Sequence, residues 1–140
     1  MKKIRIALGS NDGETIISDH MGTARDFYIF DLLENGQVIS VEKRDNTSPK
    51  ESETAHGNAE TLRAATEIFA DSDVVLGRRG SPNFVKMRDK TRFQPVVTRV
   101  DSIADSLQAL GACFAEIHDL VERRRRGERP REIPIVQKTA

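Results

Sequence analysis

The sequence has no tryptophan, a single tyrosine (Tyr28) and a single cysteine (Cys113) in 140 residues. So few aromatic faces leave little for nucleic-acid bases to stack on. One thiol excludes an internal disulfide, and with it any zinc or iron–sulfur site built from several cysteines. Net charge is missing too. The 22 Lys plus Arg balance the 22 Asp plus Glu, so no global field draws the chain to nucleic acid or to a membrane. No apolar run nears the ~18 residues of a transmembrane span. Met1-Lys2-Lys3 leads straight into a strand pattern and not into a signal-peptide core. The expectations are a cytoplasmic location and partners that include neither nucleic acid nor membrane.

What remains is the composition of a polar globular chain, 37% apolar and 31% charged, long enough to bury a core without staples. One domain is expected over residues 1–121. Residues 122–140, with Arg123 to Arg126, Arg129, Arg131 and Pro130, read as a charged, disordered tail.

Lys3-Ile4-Arg5-Ile6-Ala7-Leu8 alternates as a strand, and Gly9-Ser10-Asn11-Asp12-Gly13 ends it. Phe27–Glu34 and Gln37–Arg44 are strand patterns separated by Asn35-Gly36, which predicts a hairpin closed by a type I′ turn. Ser48-Pro49 with Glu51 imitates a capping box. From His56 to Ala70, apolar residues Ala59, Leu62, Ala65 and Phe69 recur at helical spacing. Asp73-Val74-Val75-Leu76 reads as a buried central strand, closed by Gly77-Arg78-Arg79-Gly80. Ser81 and Pro82 start a further helix. Phe93–Thr98 is a strand whose Pro95 argues for an edge position. Last, Ile103, Leu107, Leu110, Phe114, Ile117 and Val121 form a heptad seam. They predict one extended C-terminal helix reaching about Arg126, with Gly111 its weak point, since glycine there costs about 1 kcal/mol against alanine. The order is an antiparallel meander of three strands, then parallel strands reached through helices: an α/β mixed sheet.

His20 and Met21 sit side by side in a turn closed by Gly22, and both are metal-ligand types on a loop. A ligating imidazole must be neutral and oriented by an acceptor such as Asp19. A histidine that only hydrogen-bonds its turn, beside a gap-filling methionine, is the competing reading. His56 opens a helix, where the dipole favours the neutral imidazole under either reading. Gly77-Arg78-Arg79-Gly80 follows a strand and precedes a helix, a place where anions bind, although it lacks the lysine of a phosphate loop and reads equally as a tight turn. Cys113 beside the seam reads as a small buried residue, and His118 as a solvated one.

Several of these residues carry a resemblance. Ile4-Arg5-Ile6-Ala7, Asp12-Gly13, Ile17-Ser18-Asp19-His20-Met21-Gly22-Thr23-Ala24, the Asn-Gly hairpin, His56 and Asp73 to Gly80 together resemble the dinitrogenase iron–molybdenum cofactor biosynthesis family, over about Lys3 to Leu110. The resemblance implies a ribonuclease H-like mixed sheet. It also implies a non-enzymatic carrier of an iron–molybdenum–sulfur or related metal–sulfur cluster, exchanging it with donor and acceptor proteins in cofactor assembly for nitrogen fixation or a related pathway. The cluster would be held by His20, Met21, Gly22, His56, Gly77, Arg78, Arg79 and Gly80, with His20 and His56 on metal. Met21 stands where many relatives carry Phe, Arg78 where many carry a second glycine, and no thiol precedes His56. Those departures keep open an interaction module with a decayed cluster site, self-associating as a homodimer or binding a partner through the C-terminal heptad helix. A nuclease is a weaker alternative, because Lys3 to Leu8 contains no carboxylate.

Overall fold

The structure, a computed structural model, describes residues 1–48, 59–80 and 82–137, with side chains for all of these except 59–62. β1 (Lys3–Ser10), β2 (Asp26–Leu33) and β3 (Val38–Asp45) form an antiparallel meander. β4 (Val74–Gly77), β5 (Gln94–Thr98) and β6 (Ile135–Val136) add in parallel beside β1, giving the order β3-β2-β1-β4-β5-β6. α1 (Ala59–Ile68) precedes β4, α2 (Pro82–Lys90) joins β4 to β5, and α3 (Ile103–Ala112) and α4 (Phe114–Arg125) follow β5. The expected mixed α/β sheet is present. Among the described residues, no helix is long and apolar enough to cross a membrane.

Alternation along the strands divides the core between the two faces of the sheet. Ile4, Ile6, Leu8, Val74, Leu76 and Val96 pack with α3 and α4. Ala7, Phe27, Ile29 and Val75 pack with Ala65 and Phe69 of the α1 segment and with Phe84 and Met87 of α2. Phe69 meets Phe27 and Phe93 edge to face, with centroids 5.1 and 5.6 Å apart, a favoured aromatic geometry.

Several expectations need correction. The hairpin is where the alternation places it, but its turn is not type I′, because Asn35 lacks the positive φ that such a turn requires and only Gly36 has one (+92°). Leu33 N donates to Gln37 O (2.9 Å) and Gly36 N to Leu33 O (2.8 Å), so three residues form the loop and a single left-handed glycine suffices. β5 is flanked by β4 and β6 and is not an edge strand. Pro95 is tolerated because β6 pairs only with Val97 and Thr98. Val97 N and Arg99 N donate toward β6, so the nitrogen of Pro95 faces that side before β6 begins.

The extended C-terminal helix is two helices, broken at Cys113 (φ −120°, ψ 29°), close to the glycine named as its weak point. All six seam residues are buried, Phe114 being the most exposed at 7%, and all belong to the core on the sheet. The same spacing serves a coiled coil or a helix lying on a sheet. Here the sheet takes it, so the surface expected to mediate self-association or partner binding lies inside the chain. His118 is half-buried where a solvated residue is expected, and its ring stacks on Phe114 at 5.5 Å.

Beyond Val121 the expected disordered tail is instead built into the fold over residues 122–137. α4 runs on to Arg125, and β6 joins the sheet. Arg124 is 3% exposed. It donates to Gln94 Oε1 (2.7 Å) and to the carbonyls of Arg88 (2.9 Å), Thr91 (3.1 Å) and Pro130 (3.1 Å). Those bonds satisfy a buried guanidinium with neutral acceptors and hold the segment to β5.

Candidate functional site

β1 and β4 are parallel neighbours, so their C-terminal ends open on the same edge of the sheet, where α/β sheets collect ligands. The chain leaving β1 folds back on itself at once. Asp12 Oδ1 accepts from the amides of Thr15 (2.8 Å) and Glu14 (2.9 Å), and Ser10 Oγ donates to the Thr15 carbonyl (2.6 Å). The Thr15 amide, then that of Glu14, lowers the Asp12 carboxyl to about 2. Ile16 N donates to Asp101 O (2.8 Å) and Ile17 N to Gly9 O (2.9 Å).

These bonds lay a 3₁₀ turn, Met21–Thr23, across Gly9. A Cβ on Gly9 would stand 2.7 Å from Ala24 Cβ and 3.3 Å from the Met21 carbonyl oxygen, so the close approach requires glycine. The turn is fastened through its backbone. Thr23 donates to His20 O from N (3.0 Å) and from Oγ1 (2.6 Å), and Ala24 N donates to Met21 O (3.1 Å). Asn46 Nδ2 reaches from the end of β3 to the carbonyls of Gly22 (3.0 Å) and Ala24 (2.7 Å). Asp19 Oδ1 accepts from the His20 backbone amide (2.7 Å), which is not the imidazole-orienting role expected of it. The His20 ring has no hydrogen-bond partner among the described residues.

The second loop leaves β4. A Cβ on Gly77 would lie 2.7 Å from Phe84 Cζ, so this glycine lets the α2 ring pack against the strand end. Gly80 is different, since a Cβ there would meet only Val97 Cγ2 at 3.9 Å. Two polar atoms here are buried without a hydrogen-bond partner among the described residues, Arg78 Nε and Asn83 Oδ1. Buried polar atoms are nearly always paired, so each of these invites a missing partner.

Two small cavities lie beside the His20 turn, and one of them is shared by both loops. One, of about 10 Å³, is lined by Ile17, Asp19, His20 and Met21 from the first loop and by Leu76, Gly77, Arg78, Arg79 and Phe84 from the second. The other, of about 30 Å³, is lined by His20, Met21 and Gly22 with Ala65, Phe69, Asn83, Phe84 and Met87. His20, Met21, Gly77, Arg78 and Arg79 are therefore brought together, with Gly22 beside them. Gly80 lines neither cavity, and His56 lies outside the described residues, as do Ser81 and the Pro49 and Glu51 of the imitated capping box. Among the described residues no group of three His, Cys, Asp or Glu could hold a metal ion.

Sequence reasoning missed Asn46, Asn83 and Phe84 as parts of the site. Asn46 sits in a polar loop and Asn83 behind a helix-starting proline, so neither breaks a pattern. Phe84 reads only as core.

A comparison with curated proteins returned no match. The family model described as dinitrogenase iron-molybdenum cofactor matches residues 2–112, from β1 through α3 and across both loops of the site. On that match, the chain belongs to the dinitrogenase iron-molybdenum cofactor family, whose work is tied to assembly of that metallocofactor.

Proposed function

We propose that the protein binds an anionic iron–molybdenum–sulfur cluster, or a precursor of one, as cargo during metallocofactor assembly. In this reading it catalyses no reaction, and its sheet is ribonuclease H-like. One observation carries the reading beyond the family: the His20 turn and the Gly77–Arg79 loop line one cavity at the ends of parallel strands, where Arg78 Nε is buried without a partner among the described residues.

The donor set suits a preassembled cluster better than a bare ion. A free metal ion asks for three or four protein ligands, and no such group is present among the described residues. A cluster arrives with its metals already bridged by sulfide, so one imidazole from His20, with the soft thioether of Met21 near it, suffices as a tether. Arg78 and Arg79 would hydrogen-bond sulfide or carboxylate oxygen, the strongest use of a guanidinium. His56 remains the second metal ligand that the resemblance implies. Donor and acceptor proteins would approach this same edge of the sheet. A two-metal nuclease is disfavoured, because β1 carries no carboxylate and Asp73 lies just before β4, at the opposite end from the loops.

Anaerobic titration with an extracted iron–molybdenum–sulfur cluster tests the reading. Charge-transfer absorbance should saturate with the wild-type chain and weaken in His20→Ala and His56→Ala. Unchanged affinity in the double variant would remove both residues from the site.

A further inference from the structure

We propose that Asn83 is a positioning residue for His20, accepting the ring N–H of that histidine through one water held in the cavity they share. Three observations converge on it. Asn83 Oδ1 is shut away from solvent and accepts from nothing among the described residues. The His20 imidazole, which in its neutral form must place one donor and one acceptor, has no partner among them either, since Asp19 serves the His20 backbone amide instead. Both residues line the cavity of about 30 Å³, room for a water molecule.

The other side chains of that cavity, Met21, Ala65, Phe69, Phe84 and Met87, are apolar, and the Gly22 carbonyl already accepts from Asn46. An unmatched acceptor and an imidazole without a partner among the described residues thus belong to two residues lining one space whose other side chains are apolar. A water there bonds both and fixes which ring nitrogen carries the proton. The other nitrogen is left as a lone-pair donor, as when a metal-bound histidine is oriented by a polar neighbour behind it. α2 carries Asn83 and also Phe84, the ring wedged under Gly77, so one helix sets both loops of the site. The benefit to cargo rests on His20 being the cluster ligand; the hydrogen bond itself does not.

The experiment uses the full chain, labelled with ¹⁵N and with no cluster added, at about pH 8.5, above the ordinary histidine range. Long-range ¹H–¹⁵N correlations report the His20 tautomer, and solvent exchange reports protection of its ring proton. The wild type should show one tautomer with a protected N–H. In Asn83→Leu, close in size but with no acceptor, exchange should speed up about tenfold or more and the second tautomer should appear. Melting should be unchanged or raised, because an unpaired polar atom has been removed from an apolar wall. Asn83→Asp keeps an oxygen in place and should retain the protection. Asn83→Ala provides the same test as leucine should the larger side chain perturb the fold. Wild-type exchange and tautomer in both acceptor-free variants, or an unprotected His20 in the wild type, would overturn the proposal. Because no cluster is present, that failure is separate from a failure of the cargo reading in the titration.

Discussion

At the start of β4 the charged groups are saturated. Asp71 accepts from Arg44 Nη1 (2.7 Å) and Arg5 Nη1 (2.9 Å), and Asp73 from Arg125 Nη2 (3.0 Å) and the Arg5 backbone amide (2.9 Å). Arg5 also grips Asp31 through Nε (2.9 Å) and Nη2 (3.2 Å). One strand over, Gln94 at the start of β5 holds the buried Arg124. At the end of β4, four residues later, Arg78 Nε and Asn83 Oδ1 are buried and unmatched among the described residues, and the His20 ring beside them has no partner. The same sheet thus has one end whose charged groups satisfy one another, with the Ser72 hydroxyl buried and unpaired beside them among the described residues. At its other end a guanidinium nitrogen, an amide oxygen and an imidazole wait for something else. Satisfied networks specify structure, and local violations of hydrogen-bond satisfaction gather where ligands bind.

Breaking the first end should cost stability and spare binding. Arg124→Leu carries the largest expected effect, a loss of about 3–5 kcal/mol in denaturant unfolding, because Gln94 Oε1 and three carbonyls are left without their donor. Burial, then repulsion from Arg129 and Arg88, lowers the Arg124 guanidinium to about 10, as expected of a desolvated cation with no carboxylate bonded to it among the described residues. A cost under about 1 kcal/mol would mean the buried arginine is not an anchor.

Arg5→Leu comes next, at about 1–3 kcal/mol. The Asp31 side chain it abandons is 9% exposed, whereas its contact with Asp71 is discounted because that carboxylate is 43% exposed. This variant also has a pH signature. Arg5 holds the Asp31 carboxyl, and Arg44 then Arg5 hold the Asp71 carboxyl, below the usual carboxylate range. Carboxyls depressed in the folded state stabilise it above the unfolded value, about 4, and that contribution is lost as pH falls below it. Wild-type stability should therefore drop on acidification below about pH 4, and Arg5→Leu should flatten that drop.

At the opposite end it is binding that should suffer. Gly77→Ala pushes a methyl group against the Phe84 ring and should cost about 1–2 kcal/mol while weakening cluster binding, whereas Gly80→Ala should do neither. With Gly80→Ala, Arg78→Leu has the smallest expected stability effect, within about 0.5 kcal/mol of wild type. Calorimetric melting of the five variants would rank them. An Arg78→Leu loss as large as that of Arg5→Leu would erase the contrast between the two ends.

Much of this fold was legible in the sequence, because strand alternation and helical spacing report burial directly. The meander, the buried β4 and the helices between strands all follow from where Ile4, Phe27, Val74 and Leu107 recur. The turn type was not legible, since it depends on which residues close the loop, and Leu33 with Gln37 closes it one residue wider than Asn35-Gly36 suggests. The tail was misread because a run of arginines looks solvated. Yet Ile117, Leu120, Val121 and Arg124 continue one buried stripe at helical spacing, a signal that extending the periodicity into the charged run would have caught. In the site, the pairing of the His20 turn with Arg78 followed from the resemblance and from strand ends. Asn83 left no trace, because an acceptor without a partner can be seen only in three dimensions.

The account stands most directly on one titration series under anaerobic conditions, with an extracted iron–molybdenum–sulfur cluster added to wild type, to Arg5→Leu and to a His20→Ala/Arg78→Leu double variant. Wild type and Arg5→Leu should bind alike. The double variant should bind about 10–100-fold more weakly, as expected for losing a ligand and a charge-assisted hydrogen bond worth about 1.5–3 kcal/mol. Equal affinity in all three proteins would contradict the assignment of the β4 exit as the cargo site.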